Sequence, residues 1–442
     1  MSSESHNTKI DIKGSAFKKY FFNTSWLFTE KAVRLVVNFL VGIFVVRYLG
    51  AELNGIFAYA TSLIGILTAV AGLGLTNIIT REFVKKENES ESILGTAFVL
   101  KTASSVLLFL LIIVFYLFAD TYENLILLIV SSSLVLSIFD QIEFYFNAKV
   151  EAKFPVIVKF LSFIVVDVLK ILAIILNLDL VYFAAIFSLE KLILSAGLWY
   201  LYQRRKGTIF NWSFDKVRAK QLLTDSWPLM FSTIAVTIYM RIDKVILKEL
   251  MNSEAVGIYD AAVRLCEGWY FIPMAISSSL FPAIVNAKKK SEKLYNNRLQ
   301  KLYDLMVFIS LGIAIPITIF SEEIITIAYG SDFIEAASVL TIYIWAGIPV
   351  FLGTANSQYL INENFTKISL ARTVIGMILN IALNFLLIPK YGLAGSAWAT
   401  LISYSVATFY IFVYPQSRYQ FILMIKSLFL IRLISGKYFN GK

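Results

Sequence analysis

The chain has 442 residues, of which 58% are hydrophobic and 16% charged, and its mean hydropathy is +0.72. A soluble core needs far less apolar sequence, so the composition indicates a polytopic membrane protein. The single cysteine, Cys266, excludes a disulfide framework and a cysteine-based metal site. The single histidine, His6, lies in a polar N-terminal tail, which argues against histidine-dependent catalysis. We therefore expect no metal, no other cofactor and no enzyme activity.

Apolar stretches long enough to cross a bilayer recur along the whole chain, since a spanning helix needs roughly 20 such residues. The twelve stretches cover residues 23–49, 54–79, 93–118, 124–146, 156–177, 180–202, 226–249, 255–285, 299–320, 336–360, 368–388 and 393–414. A last apolar stretch, Phe421 to Ile434, is short and carries Lys426 and Arg432. It predicts an interfacial amphipathic helix rather than another span.

Lysine and arginine are distributed unequally between the two sides of these spans. They concentrate in both tails and in the even-numbered connections, whereas the odd-numbered connections contain only Lys390. Because cytoplasmic loops carry the excess of positive charge, both ends of the chain are predicted to be cytoplasmic. The asymmetry largely explains the net charge of +10. We therefore expect membrane lipid, and no nucleic acid, as a partner of the basic loops.

A short motif is repeated at half the length of the chain. Glu52-Leu53-Asn54-Gly55-Ile56-Phe57 returns 202 positions later as Glu254-Ala255-Val256-Gly257-Ile258-Tyr259. The repeat predicts two similar six-helix lobes with a cavity at their interface, as in many transporters. We interpret its glutamates and glycines as turn residues on the extracytoplasmic side. The predicted organisation is a cytoplasmic tail (1–22), an N-lobe (23–202), a cytoplasmic linker (203–225), a C-lobe (226–414) and a C-terminal tail (415–442).

Several motifs resemble those of a known transporter superfamily. They are Arg47-Tyr48-Leu49-Gly50, Gly72-Leu73-Gly74-Leu75, Arg241-Ile242-Asp243-Lys244, Val256-Gly257-Ile258-Tyr259-Asp260, Phe281-Pro282 and Ala328-Tyr329-Gly330-Ser331-Asp332-Phe333. In order and spacing they resemble the polysaccharide exporters of the multidrug/oligosaccharidyl-lipid/polysaccharide (MOP) superfamily, over about residues 20–415. Within that superfamily the chain looks most like the Wzx-type O-antigen flippases.

The resemblance implies an all-α fold of twelve transmembrane helices, in two six-helix bundles that form a V around a central cavity, as in the multidrug (MATE) relatives. It also implies that the cargo is an O-antigen or capsule repeat unit on undecaprenyl pyrophosphate, moved from the inner to the outer leaflet of a bacterial cytoplasmic membrane. Other polysaccharide assembly proteins are further candidate partners. A multidrug or other small-molecule exporter of the same superfamily stays an alternative. A membrane glycan polymerase or ligase is disfavoured, because the odd-numbered connections are too short for a catalytic loop.

Ionisable residues inside the spans are the candidate functional groups, because each costs about 2.5–3.5 kcal/mol at the bilayer centre on insertion scales. Arginine binds phosphate oxygens bidentately, so Arg34 and Arg264 are the leading candidates for a cationic surface facing an anionic cargo. Further candidate cations are Lys31, Arg241 and Lys170, and candidate ion-coupling carboxylates are Asp167, Glu190, Asp260 and Glu267. Internal salt bridges that only hold helices together are the alternative. For Lys101, Asp304 and Arg372, near cytoplasmic helix ends, snorkelling suffices.

Prolines and glycines inside the predicted spans are candidate hinges for alternating access. Pro273 and Pro282 lie in span eight, Pro316 lies in span nine, and Gly72 and Gly74 lie in span two. Proline removes a backbone hydrogen bond and can kink a helix, and glycine permits bending or close packing. Static kinks that only shape the packing are the alternative.

Overall fold

The computed structural model describes the backbone of residues 8–429 and the side chains of residues 33–429 except that of Glu87. Every long regular element in this range is an α-helix, which confirms the predicted all-α class. The helices are α1 Thr8–Ala71, α2 Leu75–Lys85, α3 Ser90–Phe118, α4 Tyr122–Leu136, α5 Gln141–Ala148, α6 Lys153–Ile175, α7 Leu180–Arg205, α8 Lys216–Leu250, α9 Ser253–Glu267, α10 Phe271–Lys288, α11 Glu292–Ile319, α12 Ser321–Tyr329, α13 Ala336–Tyr343, α14 Gly347–Asn362, α15 Thr366–Phe409 and α16 Arg418–Leu428.

Eight stretches of the described helices are long and apolar enough to cross a membrane. They are Val33–Lys85, Ser90–Phe118, Tyr122–Ala148, Leu180–Arg205, Ser253–Lys288, Glu292–Ile319, Ala336–Asn362 and Thr366–Val413. The first and last each hold two predicted spans, since α1 breaks at Gly50 (φ 73°) and α15 breaks at Gly392 (φ 55°). The two other predicted spans correspond to α6 and α8, whose sequences contain charged residues. The structure thus accommodates the twelve predicted spans.

The chain divides into two compact units. The first contains the residues up to 45 together with 63–234, and the second contains residues 46–62 together with those from 235 onward. The short segment 46–62 therefore packs with the second unit although it belongs to the first half of the sequence. The predicted lobe boundaries stay a prediction.

The core of the first unit is built mainly from four of its helices, with Leu222 of α8 added. Apolar side chains of α2, α3, α5 and α7 pack together there, among them Phe83, Leu94, Phe146 and Leu198, all fully buried. Side-chain oxygens cap the starts of two helices of this unit: Thr121 accepts from Asn124 N at the start of α4, and Asp179 accepts from Leu180 N at the start of α7. Such caps satisfy amide groups that the first turn leaves unbonded.

The core of the second unit surrounds α11. Leu299 and Met306 of α11 pack against Phe351 of α14 and against Leu423 and Met424 of α16. The C-terminal helix α16 thus has a buried face inside this unit. Its position at a membrane surface stays a prediction.

Candidate functional site

The two copies of the repeated motif lie on helices that cross within the second unit. A Cβ atom on Gly55 would lie 1.6 Å from the carbonyl oxygen of Ser253, and one on Gly257 would lie 1.8 Å from that of Ala51. Ala51 and Gly55 are four positions apart on one helix, and Ser253 and Gly257 are four positions apart on the other. Both helices therefore carry a small-x-x-x-Gly pattern, which lets their backbones approach closely. We call these four residues the repeat crossing. The interpretation of both glycines as turn residues is wrong, because they lie inside helices and only glycine fits there.

The residue before the first glycine links the repeat crossing to a buried carboxylate. Asn54 is 1% exposed, and its Nδ2 donates to the carbonyl oxygen of Gly257 at 3.2 Å. The same nitrogen lies 3.4 Å from Asp260 Oδ2. The first copy of the repeat therefore reaches the charged residues that follow the second copy.

Asp260 holds two cations. Lys244 Nζ of α8 donates to Asp260 Oδ1 at 2.6 Å, and Arg264 Nε, one turn further along α9, donates to Asp260 Oδ2 at 2.5 Å. The Asp260 side chain is 2% exposed, that of Lys244 13% and that of Arg264 37%. We call Asp260, Lys244, Arg264 and Asn54 the Asp260 cluster. Its two cations exceed its one carboxylate, so the cluster carries a surplus positive charge beside a partly open arginine.

A second buried network begins next to this cluster. The Tyr259 hydroxyl donates to Asp243 Oδ2 at 2.7 Å and lies 3.4 Å from Thr400 Oγ1. From Thr400 the network continues along α15 through Asn380, Ser403, Asn384 and Ser396. Between residues 33 and 429 no three His, Cys, Asp or Glu side chains come together as a metal site would require. The network consists mainly of amides and hydroxyls.

Sequence reasoning missed these amides, although a signal for them exists. Asn380 and Asn384 are one helical turn apart in an apolar span, and both are buried. Asn54 likewise sits between apolar neighbours in the repeat. A polar amide at such a position must find a hydrogen-bond partner inside the protein or face a water-filled cavity.

The other predicted cations and carboxylates of the second unit lie around the Asp260 cluster. Arg241 is exposed at its position on α8. Glu267 is half-buried on α9, and its Oε1 lies 3.4 Å from the Tyr343 hydroxyl. The predicted stripe of Asp260, Arg264 and Glu267 on one helix is therefore present, with its first two members directly bonded.

The first unit contains a separate ion pair. Lys170 Nζ donates to Asp167 Oδ1 at 2.8 Å, one turn apart on α6, and Asp167 is 4% exposed. The second oxygen of Asp167 is buried and makes no hydrogen bond within the part of the chain that the structure describes. Glu190 on α7 and Arg34 on α1 are half-buried, and Arg34 has interactions of its own. The side chain of Lys31 lies outside the described residues.

The candidate hinges occupy three kinds of position. Pro282 and Pro316 lie inside α10 and α11. Pro273 is instead in the first turn of α10, after the break that separates it from α9, where a proline removes no helical hydrogen bond. Gly72 and Gly74 lie in the turn between α1 and α2, and Gly74 has φ +64° with a would-be Cβ 2.4 Å from Met230 N. Their role as hinges stays a prediction.

The chain has the fold of the transporters of the MOP superfamily. It is similar to the solved lipid II flippase MurJ in an inward closed conformation, at 16% identity and a TM-score of 0.72, over 96% of this chain and 94% of that one. It is also similar to an inward-facing multidrug resistance MATE family transporter of the MOP superfamily, at 15% identity and a TM-score of 0.69, over 89% and 96% of the two chains. At such identities the likeness shows the fold alone.

The chain belongs to the polysaccharide biosynthesis protein family, whose sequence model matches residues 21–288. The model of the lipid II flippase MurJ matches residues 211–436. Relatives include the probable low-salt glycan biosynthesis flippase Agl15 of Haloferax volcanii, 28% identical over 43% of this chain and 40% of that protein. Another is the capsular polysaccharide biosynthesis protein CapF of Staphylococcus aureus, 27% identical over 47% of this chain and 53% of that protein. The chain thus spans about half the length of these relatives. The family models and the relatives together confirm the predicted membership of the MOP superfamily.

Proposed function

We propose that the chain is a flippase for a lipid-linked oligosaccharide. The cargo is an O-antigen or capsule repeat unit on undecaprenyl pyrophosphate, carried by alternating access from the inner to the outer leaflet of a bacterial cytoplasmic membrane. Both termini are cytoplasmic in this proposal. Family membership supports it, as do the names of the relatives, which include a glycan biosynthesis flippase, a capsular polysaccharide protein and a lipid II flippase.

The main support for the proposal is the hydrogen bonding and exposure of Arg264. Only its Nε is engaged, by Asp260, and its terminal amino groups make no hydrogen bond to the side chains and backbone that the structure describes. More than a third of the side chain is exposed, at 37%. A pyrophosphate offers paired oxygens that match an open guanidinium fork, whereas a cationic drug has nothing to bind there. Lys244 neutralises the other oxygen of Asp260, so an incoming anion meets little repulsion.

The remaining predicted residues are proposed either to bind phosphate groups or to couple transport to an ion gradient. Arg34, Lys31, Arg241 and Lys170 are further cations for the phosphate groups. The carboxylates proposed to couple transport to an ion gradient are Asp167, Glu190, Asp260 and Glu267. Among them Asp167 stands out, because its second oxygen is buried and unbonded within the described residues while its first oxygen holds Lys170. Asp260, by contrast, has both oxygens bonded to cations.

The test is a flipping assay with purified protein in liposomes that contain a fluorescent oligosaccharide on a prenyl pyrophosphate. Arg264→Ala is expected to slow flipping at least roughly tenfold, since a charge-assisted phosphate contact is worth about 1.5–3 kcal/mol. Arg264→Lys is expected to restore part of the rate, because lysine keeps the charge and loses the fork. The matched control is Arg418→Ala, which removes an exposed arginine bonded to the carbonyl oxygen of Phe412.

Wild-type flipping by Arg264→Ala would refute the role of Arg264. A second arm measures export of a lipophilic cationic dye by the same liposomes. Dye export without glycan movement would favour the multidrug exporter and overturn the proposed function.

A further inference from the structure

We propose a second oxyanion site in the second unit, built around Arg372 of α15 and suited to a phosphate group. The guanidinium donates from Nη2 to Ser357 Oγ of α14 at 2.5 Å. Its Nη1 is buried and makes no hydrogen bond among the side chains that the structure covers. It forms no ion pair with a carboxylate of the described residues, and Tyr239 and Tyr303 are ionisable side chains beside it. Arg372 as a whole is half-buried, and within the described residues it is a cation without a counter-charge.

This state is unlike that of the two cations of the Asp260 cluster in the same unit. Lys244 and Arg264 share Asp260 as their counter-charge. A partly buried charge without an opposite charge is unfavourable, and either a protein carboxylate or a bound anion relieves that cost. Because the described part of the chain supplies no carboxylate to Arg372, a bound anion is the counter-charge that we infer.

A neighbouring side chain points to the same ligand chemistry. Asn356 precedes Ser357 on α14 and is 0% exposed. Its Oδ1 lies 3.4 Å from the Tyr303 hydroxyl, whereas its Nδ2 is buried and has no partner among the described residues. The unbonded groups of Arg372 and Asn356 are therefore both N–H donors. A phosphate oxygen accepts from such donors, and a cation or a drug amine does not.

The site lies near the start of α15. Arg372 lies about two turns after that start, and its guanidinium bonds to Ser357 near the end of α14. We call Arg372, Ser357, Asn356 and Tyr303 the Arg372 site. The inference deepens the proposed function and rests on it, because the phosphate is taken to be that of a lipid-linked cargo. A bilayer lipid headgroup offers the same chemistry.

The experiment measures binding to the purified full-length chain in detergent. The probes are farnesyl pyrophosphate, inorganic pyrophosphate, and nanodiscs of phosphatidylglycerol or of phosphatidylcholine. Arg372→Gln removes the cation, and Asn356→Asp supplies an internal carboxylate that competes with the ligand. Both are expected to raise the Kd for farnesyl pyrophosphate roughly tenfold or more, while the control Arg418→Gln leaves it unchanged. If Arg372→Gln does not fold, Asn356→Asp decides.

A stability measurement separates binding from a purely structural role. Without ligand, Arg372→Gln is expected to have a Tm equal to or above that of the wild type, since it removes a half-buried charge that has no counter-charge. With farnesyl pyrophosphate, the wild type is expected to gain Tm by mass action and the variant is not. A lower Tm without ligand together with an unchanged ligand-induced gain would overturn the proposal.

The remaining outcomes are decisive as well. If both variants bind farnesyl pyrophosphate like the wild type while Arg264→Ala does not, the Arg372 site is refuted and the proposed function stands. If the wild type binds none of the probes, the site is refuted and the flipping assay alone decides the function. If the variants lose preference for phosphatidylglycerol over phosphatidylcholine but keep pyrophosphate binding, the oxyanion site is upheld and its ligand is a bilayer lipid. If the variants lose binding of both farnesyl pyrophosphate and inorganic pyrophosphate, the ligand of the site is the pyrophosphate group itself.

Discussion

Alanine at position 55 is expected to force apart the two helices of the repeat crossing. Its Cβ would lie 1.6 Å from the carbonyl oxygen of Ser253, whereas ordinary van der Waals contact begins at 3.4 Å. The helices must therefore separate by about 2 Å, which also breaks the 3.2 Å hydrogen bond from Asn54 to Gly257. Overpacking of this kind costs about 1–3 kcal/mol and the lost bond about 1 kcal/mol, while alanine returns up to about 1 kcal/mol of helix propensity. We expect Gly55→Ala to reduce the free energy of unfolding by about 2–3 kcal/mol.

The assay is thermal unfolding of the purified protein in detergent, with Gly312→Ala as the matched control. Gly312 lies inside α11 with no atom within 4 Å of its would-be Cβ, so alanine there is expected to be neutral or stabilising. The double variant of Gly55 and Gly257 is expected to cost less than the sum of the single ones, because one separation of the helices accommodates both methyl groups. Equal stability of Gly55→Ala and Gly312→Ala would refute the reasoning.

Three further changes test other parts of the structure. Asp260→Asn leaves two cations without their counter-charge. We expect it to reduce the free energy of unfolding by about 3 kcal/mol. A reduction below about 1 kcal/mol would contradict the ion pairs. Gly74→Ala places a side chain at φ +64° with its Cβ 2.4 Å from Met230 N. We therefore expect the free energy of unfolding to fall by about 2–3 kcal/mol, measured by thermal unfolding. An unchanged Tm would count against this close approach. Burial alone would raise the pKa of Glu363, but hydrogen bonds led by that from Lys288 keep its pKa below the ordinary 4.5. Its contribution is therefore complete above about pH 4.5 and is lost as pH falls through the lowered value. The Tm difference between wild type and Glu363→Gln should therefore shrink as pH falls below 4.5, and a constant difference would disprove the linkage.

The sequence predicted the parts of the structure that depend on local pattern. Hydropathy and spacing predicted the helical spans, and the pairing of Asp260 with Arg264 follows from their separation by one turn. Lys244, the other partner of Asp260, comes from a different helix, and nothing in the local pattern specifies which helices meet. The same holds for Asn54, whose partners lie about 200 positions away in sequence. Such pairings depend on tertiary packing, so sequence periodicity does not reveal them.

One interpretation failed for a physical reason that can be read from the residues. The repeat was treated as a turn, although Ala51 and Gly55, like Ser253 and Gly257, have the spacing of small residues at a helix crossing.

The reciprocal geometry of the repeat crossing has a consequence for how such a chain can arise. Each glycine faces the carbonyl four residues before the other glycine, which is the isologous arrangement of a two-fold symmetric dimer. A half-length ancestor with this motif could thus have dimerised through the same surface before gene duplication and fusion. Fusion frees the two copies to diverge, because a substitution in one no longer appears in the other. Asn54 and Asp260 show that freedom, since their counterparts 202 positions away are Val256 and Ala58.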